Sequence, residues 1–274
     1  MNLCAVKKYA LISGDFVKTG GMDRANYALA SFLAARGDEV HLAAHRAADD
    51  LTARPNVTLH RVHKPLNSYL LGGPMIHRAG RRLAVKVAAE GGRVVVNGGN
   101  CLWGDVNWVH HVHAADAARV DGSLPKVVKD RLAYRIHVAE ERLAVRKARL
   151  ILTSCEPTRR DILERISGVR PEIIRTVFYG VDSDLFRPAE PDERAAIRGR
   201  FGWAPDRPKV AFVGALGDRR KGFDTLFAAW SLLCRDPAWD ADLVVVGRGA
   251  EVPAWQARAR SAGLTDRIEF LGFV

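Results

Sequence analysis

The sequence predicts an α/β protein of two units, each with a parallel sheet, the second of them incomplete. Three observations carry this. Short runs of β-formers alternate with helical segments along nearly all of the 274 residues. The runs are apolar at almost every position, the pattern of strands covered on both faces. A stretch rich in proline and charge at residues 188–208 then interrupts the series, which restarts at Val210.

Taken in order, residues 9–13 read as a buried strand, 22–36 as a helix and 39–44 as a strand after the Gly37-Asp38 turn. Residues 57–61 follow as a short strand and 75–90 as a basic helix. The strand at 93–96 ends at Asn97-Gly98-Gly99-Asn100, and that at 106–111 runs into a histidine cluster. A long helix at 125–147, a strand at 150–153, a helix from 157 and a strand at 173–177 complete the first domain, placed at 1–187. Residues 188–208 are the expected interdomain connection. The second domain, 209–274, offers strands beginning at 210, 243 and 267 with helices at 223–234 and 253–262. That is fewer strands than a doubly wound domain normally has, so it reads as cut short.

Composition narrows the function. No segment approaches the apolar length of a membrane span, and the N-terminus lacks a secretory pattern. Cys4, Cys101, Cys155 and Cys234 show no metal-ligand or redox spacing, which suits buried thiols in a reducing cytosol. The net charge of +11 favours anionic partners. Nucleic acid is not expected among them, because no nucleic-acid-binding signature accompanies the charge.

Two glycine-bearing strand-to-helix turns are the strongest local signals. In VAFVGALGDRRKGFDTL, residues 210–226, β-formers end in glycine and a basic pair with glycine opens a helix. Backbone N–H groups, a helix dipole and the Lys221 ammonium then surround one point, as a phosphate requires. Gly20 and Gly21 form the second turn. Lys18-Thr19 lacks the preceding glycine of a P-loop, and Gly247-Arg248-Gly249 lacks the third glycine of a dinucleotide fingerprint. His110, His111 and His113 fall at a strand end, where open α/β sheets bind ligands. Strand alternation puts His111 and His113 on one face and His110 on the other. They supply no third metal ligand of fixed identity, so no metal is expected. Asp182-Ser183-Asp184 reads as a turn and cap. In the 125–147 helix, Lys126, Lys129, Arg131, Arg135 and Arg142 lie among Val127, Val128, Leu132, Ile136 and Leu143. A solvated face is the default reading, and an anionic membrane surface the sharper one.

The order of these pieces resembles family 4 glycosyltransferases (glycosyl transferases group 1) of the GT-B fold, two Rossmann-like domains facing each other. The resemblance covers essentially the whole chain. It rests on GGMDRANYALASFLAARGDEV, RKARLILTSCEPTRRDIL, FYGVDSDLF, FVGALGDRRKGFDTLF, LVVVGRG and DRIEFLGF in sequence. It implies metal-independent transfer of a sugar from a nucleotide-sugar donor to a glycan or lipid-linked acceptor, with retention and no cofactor. By the same resemblance Lys221 contacts the donor diphosphate, helped by Gly20 and Gly21. The arginine that normally follows the strand-ending glycine is Ala215 here, so Arg219 or Arg220 supplies the second charge. His113 matches the catalytic histidine, with His110 and Asn100 as acceptor contacts. The expected location is cytoplasmic, including the inner face of the membrane. Family members continue into a region with two glutamates separated by seven residues, and its absence implies a C-terminally truncated form with little turnover. Two alternatives remain: a non-catalytic nucleotide- or glycan-binding module, and a metal-dependent glycosyltransferase using Asp182 and Asp184.

Overall fold

The computed structural model describes residues 7–116, 124–217 and 221–274. The chain divides between Val181 and Asp182 into two compact units, and residues 188–208 cluster with the second.

The first unit runs β1 (Lys8–Ile12), β2 (Asp15–Phe16), α1 (Gly21–Ala35), β3 (Glu39–Ala44), β4 (Arg46–Ala47), α2 (Asp49–Thr52) and β5 (Val57–Arg61). It continues with α3 (Tyr69–Ala89), β6 (Arg93–Asn97), β7 (Val106–Val109), α4 (Leu124–Lys147), β8 (Leu150–Thr153), α5 (Glu156–Arg165) and β9 (Ile174–Thr176). Seven strands form one parallel sheet in the order β5-β3-β1-β6-β7-β8-β9. The chain winds outward from β1 through β3 to β5, then returns to place β6 on the other side of β1. A crevice opens at such a reversal, at the C-terminal strand ends.

Alternation explains why the strands are apolar throughout. Ala10 and Ile12 pack with Ile76, Leu83, Ala84 and Val87 of α3, while Leu11 packs with Ala30, Leu33 and Ala34 of α1. Each fully buried leucine or isoleucine contributes about 2 kcal/mol of transfer free energy. A third cluster joins Val145 of α4 to Ile151, Ile162 and Ile174. α4 turns Val138, Glu141, Ala144 and Val145 inward. The apolar residues Val128, Leu132, Ile136 and Leu143, which the sequence places among its basic residues, are exposed.

Three local expectations differ from the structure. The helix expected from residue 75 begins at Tyr69. Gly72 lets it start there, since a Cβ at that position would lie 2.8 Å from the His45 ring. The two-stranded β2-β4 pair, absent from the sequence reading, is too short to show a period. The strand expected over 106–111 stops at Val109, so alternation does not sort the histidines beyond it.

The second unit comprises α6 (Pro191–Arg200), β10 (Lys209–Val213), α7 (Phe223–Leu233), β11 (Asp242–Val246), α8 (Val252–Ser261) and β12 (Ile268–Gly272). Its three strands are parallel in the order β10-β11-β12. The core is aromatic. Phe223 meets Trp255 edge-on at 5.0 Å and Phe212 at 4.9 Å, and Trp230 contacts Trp239 at 5.7 Å. Gly247-Arg248-Gly249 also finds its reason here. The loops leaving β10 and β11 hydrogen-bond directly, Gly214 N–H to Val246 O and Leu216 N–H to Arg248 O, each at 3.0 Å. A Cβ on Gly247 would sit 1.9 Å from Gly214 O, and one on Gly249 would sit 1.5 Å from Leu216 O. The glycines serve backbone contact within the protein.

Gly249→Ala therefore destabilises the second unit by more than about 3 kcal/mol, through forced separation of these loops. Gly199→Ala in α6, where a Cβ meets nothing within 4 Å, is neutral or stabilising by up to about 1 kcal/mol. Amide exchange of the β10–β12 strands checks both, with protection lost in the first variant and kept in the second.

Candidate active site

In the first unit a cavity of about 230 Å³ lies at the C-terminal ends of β1, β6 and β7. Gly14 follows β1, Asn97 ends β6 and leads into Gly98-Gly99-Asn100, and His110, His111 and His113 follow β7. Met22 and Tyr69 close it from the starts of α1 and α3, and His137 and Glu140 from α4. Three of the expected site residues, Asn100, His110 and His113, thus meet in one place, together with His111. Sequence reading had not brought in Tyr69, Asn97, His137 or Glu140.

The histidines are held differently. The Asn26 amide oxygen lies 3.2 Å from His110 Nε2 and also accepts from Asn97 Nδ2 at 3.3 Å, while Asn26 Nδ2 bonds Ser13 Oγ at 2.9 Å. His110 Nε2 is therefore the N–H nitrogen, and Nδ1 accepts from the Tyr179 hydroxyl. The ring lies 4.5 Å from that of Trp108. Burial lowers the His110 pKa to about 4, so it is neutral near pH 7, with both nitrogens bonded to protein. His111 Nε2 pairs with Asp116 at 2.8 Å. His113 Nδ1 lies 3.0 Å from the buried Glu141 carboxylate, which also accepts the backbone N–H groups of His113 and Ala114. His113 and His137 rings stand 5.7 Å apart.

Beside the cavity, Gly20 is the N-cap of α1 at φ 80°, a left-handed value that glycine adopts without strain. Gly21 opens the helix, and a Cβ there would meet nothing within 4 Å. No side chain caps α1, so its first N–H groups are not taken by a cap residue. Below this turn the Asp15 carboxylate, 1% exposed, accepts from Arg46 at 2.6 and 3.2 Å and from the Tyr69 hydroxyl at 2.7 Å. Burial works to raise the Asp15 pKa, but the Arg46 and Tyr69 hydrogen bonds outweigh it and hold the carboxyl below its usual range. Asp23 moves the other way, raised by burial and by the nearby charge of Asp15.

In the second unit, Lys221 stands just before α7, whose N-cap is Gly222. Its Cβ lies beside Gly214 at the end of β10, and the residue is exposed. Arg219 and Arg220 lie outside the described residues. Asp182 Oδ1 accepts from the N–H groups of Asp184 and Leu185 at 3.2 and 3.3 Å, which is turn geometry. Among the described residues no group of three or more His, Cys, Asp or Glu is arranged to hold a metal ion. Nor does any helix among them have the length and apolarity to cross a membrane.

A cavity at the reversal of a parallel sheet, rimmed by imidazoles and amides, marks the molecule as an α/β protein with a polar cavity at the strand ends of its first unit. Residues 19–185 match the model of Glycosyltransferase Family 4, and residues 207–274 match that of Glycosyl transferases group 1. The chain belongs to glycosyltransferase family 4. It is 33% identical over 151 residues to the 2-deoxystreptamine glucosyltransferase of Streptomyces kanamyceticus, covering 55% of this chain and 38% of that protein. To the D-inositol 3-phosphate glycosyltransferase of Nocardia farcinica it is 29% identical over 189 residues, covering 62% of this chain and 40% of that one. The chain thus spans about two fifths of these curated relatives. Among solved structures it resembles WaaG, a glycosyltransferase involved in lipopolysaccharide biosynthesis, at TM-score 0.70 and 20% identity over 97% of this chain and 70% of that one. HepE of Anabaena in complex with UDP matches at TM-score 0.63 and 16% identity, over 98% and 69%. These likenesses make the fold GT-B.

The Asp15–Arg46 pair supplies a check on how β2 is held against β4. Arg46→Ala leaves a buried carboxylate with only Tyr69 as side-chain donor and costs about 3 kcal/mol at pH 7. Because the folded Asp15 pKa is depressed, the pair's contribution is full above the unfolded value of about 4 and disappears as pH falls through the folded one. Urea unfolding of both proteins from pH 7 downward shows the gap between them closing below pH 4.

Proposed function

We propose that this chain carries the acceptor cavity and the diphosphate-contacting elements of a retaining, metal-independent glycosyltransferase. It moves a sugar from a nucleotide-sugar donor to a hydroxyl of a glycan or lipid-linked acceptor. The observation that carries the proposal is the first-unit cavity itself, whose rim of Asn100, His111, His113, His137 and Glu140 offers a polyol many hydrogen-bond partners. The donor class draws support from family membership and from the structures of HepE in complex with UDP and with UDP-glucose.

The chemistry follows from charge. As the bond from the anomeric carbon to the β-phosphate oxygen breaks, the leaving nucleoside diphosphate takes the electron pair and gains negative charge. In this proposal the Lys221 ammonium and the positive start of α7 meet that charge. The acceptor hydroxyl oxygen forms the new bond on the same face, and its proton passes to the departing phosphate. His113 is the side chain given the contact with the reacting hydroxyl, and Asn100 and His110 belong to the wall around it.

A thermal-shift screen of UDP-, GDP- and ADP-sugars tests the donor. A true donor at a hundred times its dissociation constant stabilises the fold by about 2.7 kcal/mol. Lys221→Ala costs on the order of 3 kcal/mol of transition-state stabilisation, read as lost release of nucleoside diphosphate. Stabilisation without any release marks a non-catalytic nucleotide-binding module instead.

We also propose that the protein works in the cytoplasm with the outer face of α4 on an anionic membrane. Leu124, Val128 and Leu132 recur every fourth residue there, 81%, 64% and 57% exposed, with exposed Lys129, Arg131 and Arg135 between and beside them. An apolar stripe edged by cations matches the boundary between acyl chains and anionic headgroups. Co-sedimentation with phosphatidylglycerol vesicles, absent with phosphatidylcholine and abolished by Arg131→Glu with Arg135→Glu, is the expected result.

A further inference from the structure

We infer that Glu141 is a positioning residue that fixes the tautomer of His113 and so aims Nε2 at the acceptor hydroxyl. This rests on reading the first-unit cavity as the acceptor site. The Glu141 side chain is 1% exposed, on the inner face of α4 between Val138 and Ala144, so the helix gives it no route to water. Its Oε1 lies 2.8 Å from the backbone N of His113 and 3.0 Å from Nδ1 of the same residue. Its Oε2 lies 3.0 Å from the backbone N of Ala114. A buried carboxylate needs a donor at each of these contacts, and two of them are obligatory N–H groups. The third, Nδ1, must then carry hydrogen, which leaves the lone pair of a neutral imidazole on Nε2. His113 lines the cavity with its side chain 47% exposed, so that lone pair is available to a hydroxyl.

The neighbouring histidines show what is particular here. His111 and His137 pair with Asp116 and Glu140, carboxylates 39% and 44% exposed, which water competes for and which hold a ring loosely. Glu141 alone of the three acids is buried and also clamps the backbone that carries its histidine. The Asn97-Gly98-Gly99-Asn100 turn makes the approach feasible. A Cβ on Gly99 would lie 3.2 Å from the Glu141 backbone N and 3.4 Å from Glu140 Cβ, so the glycine brings α4 against the strand end.

The test uses imidazole nitrogen NMR of the whole chain, with His113 assigned by His113→Asn. In the unaltered protein His113 is an Nδ1–H tautomer with Nε2 unprotonated. In Glu141→Gln the amide cannot accept from Ala114 N–H and from His113 with both its atoms, and the population moves toward Nε2–H. Glu141→Asp restores part of the original signal, and circular dichroism confirms that each variant is folded. An Nε2–H tautomer in the unaltered protein, or one unmoved in a folded Glu141→Gln, overturns the inference. With UDP-glucose and water as acceptor, Glu141→Gln lowers kcat roughly tenfold or more and leaves KM for UDP-glucose within about twofold. A kcat unchanged in Glu141→Gln overturns the inference as well. If the tautomer follows Glu141 but the unaltered chain releases nucleoside diphosphate from no UDP-, GDP- or ADP-sugar, the glycosyl-transfer reading fails and the positioning role stands.

Discussion

A parallel sheet packed on both faces leaves no room for chemistry along its strands. β1 shows the constraint most plainly, with Ala10 and Ile12 turned to α3 and Leu11 to α1, all three buried. A hydroxyl or imidazole in the middle of that strand would lose its water and find no partner. Around β1 polar groups are therefore displaced to the strand ends, where backbone leaves the ladder and side chains can reach one another. Ser13, Asn97 and His110 each stand just past or at such an end, and Asn26 at the start of α1 ties them together.

Two buried carboxylates then hold the walls of the cavity in place. Asp15 draws Arg46 and Tyr69 onto the turn before α1, and Glu141 draws the backbone at His113 and Ala114 onto α4. An ion kept from water tolerates little movement of its donors, because each lost hydrogen bond exposes an unpaired charge to a poor solvent. Such anchoring keeps a site at fixed geometry before any ligand arrives. His110 contributes in a different way. Kept neutral and bonded on both nitrogens, it links α1 to the segment after β9 through Tyr179.

The second unit solves a related problem with glycine. Its two adjacent strand-exit loops approach so closely that Gly247 and Gly249 have no space for a side chain. What looks in the sequence like a shortened dinucleotide fingerprint is thus a requirement of backbone packing between the segments that leave β10 and β11. Carbonyl-to-Cβ distances of 1.5 and 1.9 Å leave no other residue type acceptable at either position.

Most of the fold was legible in the chain itself. Continuous apolar runs separated by helices imply parallel strands, and those over 39–44, 57–61 and 150–153 occupy the expected residues, because burial on both faces dictates composition locally. The histidine cluster was legible as lying at a strand end, and the six ordered motifs as a family. Glu141 was not, although a polar residue in register with Val138, Ala144 and Val145 signals a buried acid on an inner helix face. Its partner lies 28 residues away in sequence, as Arg46 lies 31 from Asp15. Strand identity depends on side chains within a few positions, which the sequence states outright. The tautomer of His113, the Asp15 link between β2, β4 and α3 and the outward face of α4 depend on which distant groups share a buried volume, and only tertiary packing decides that.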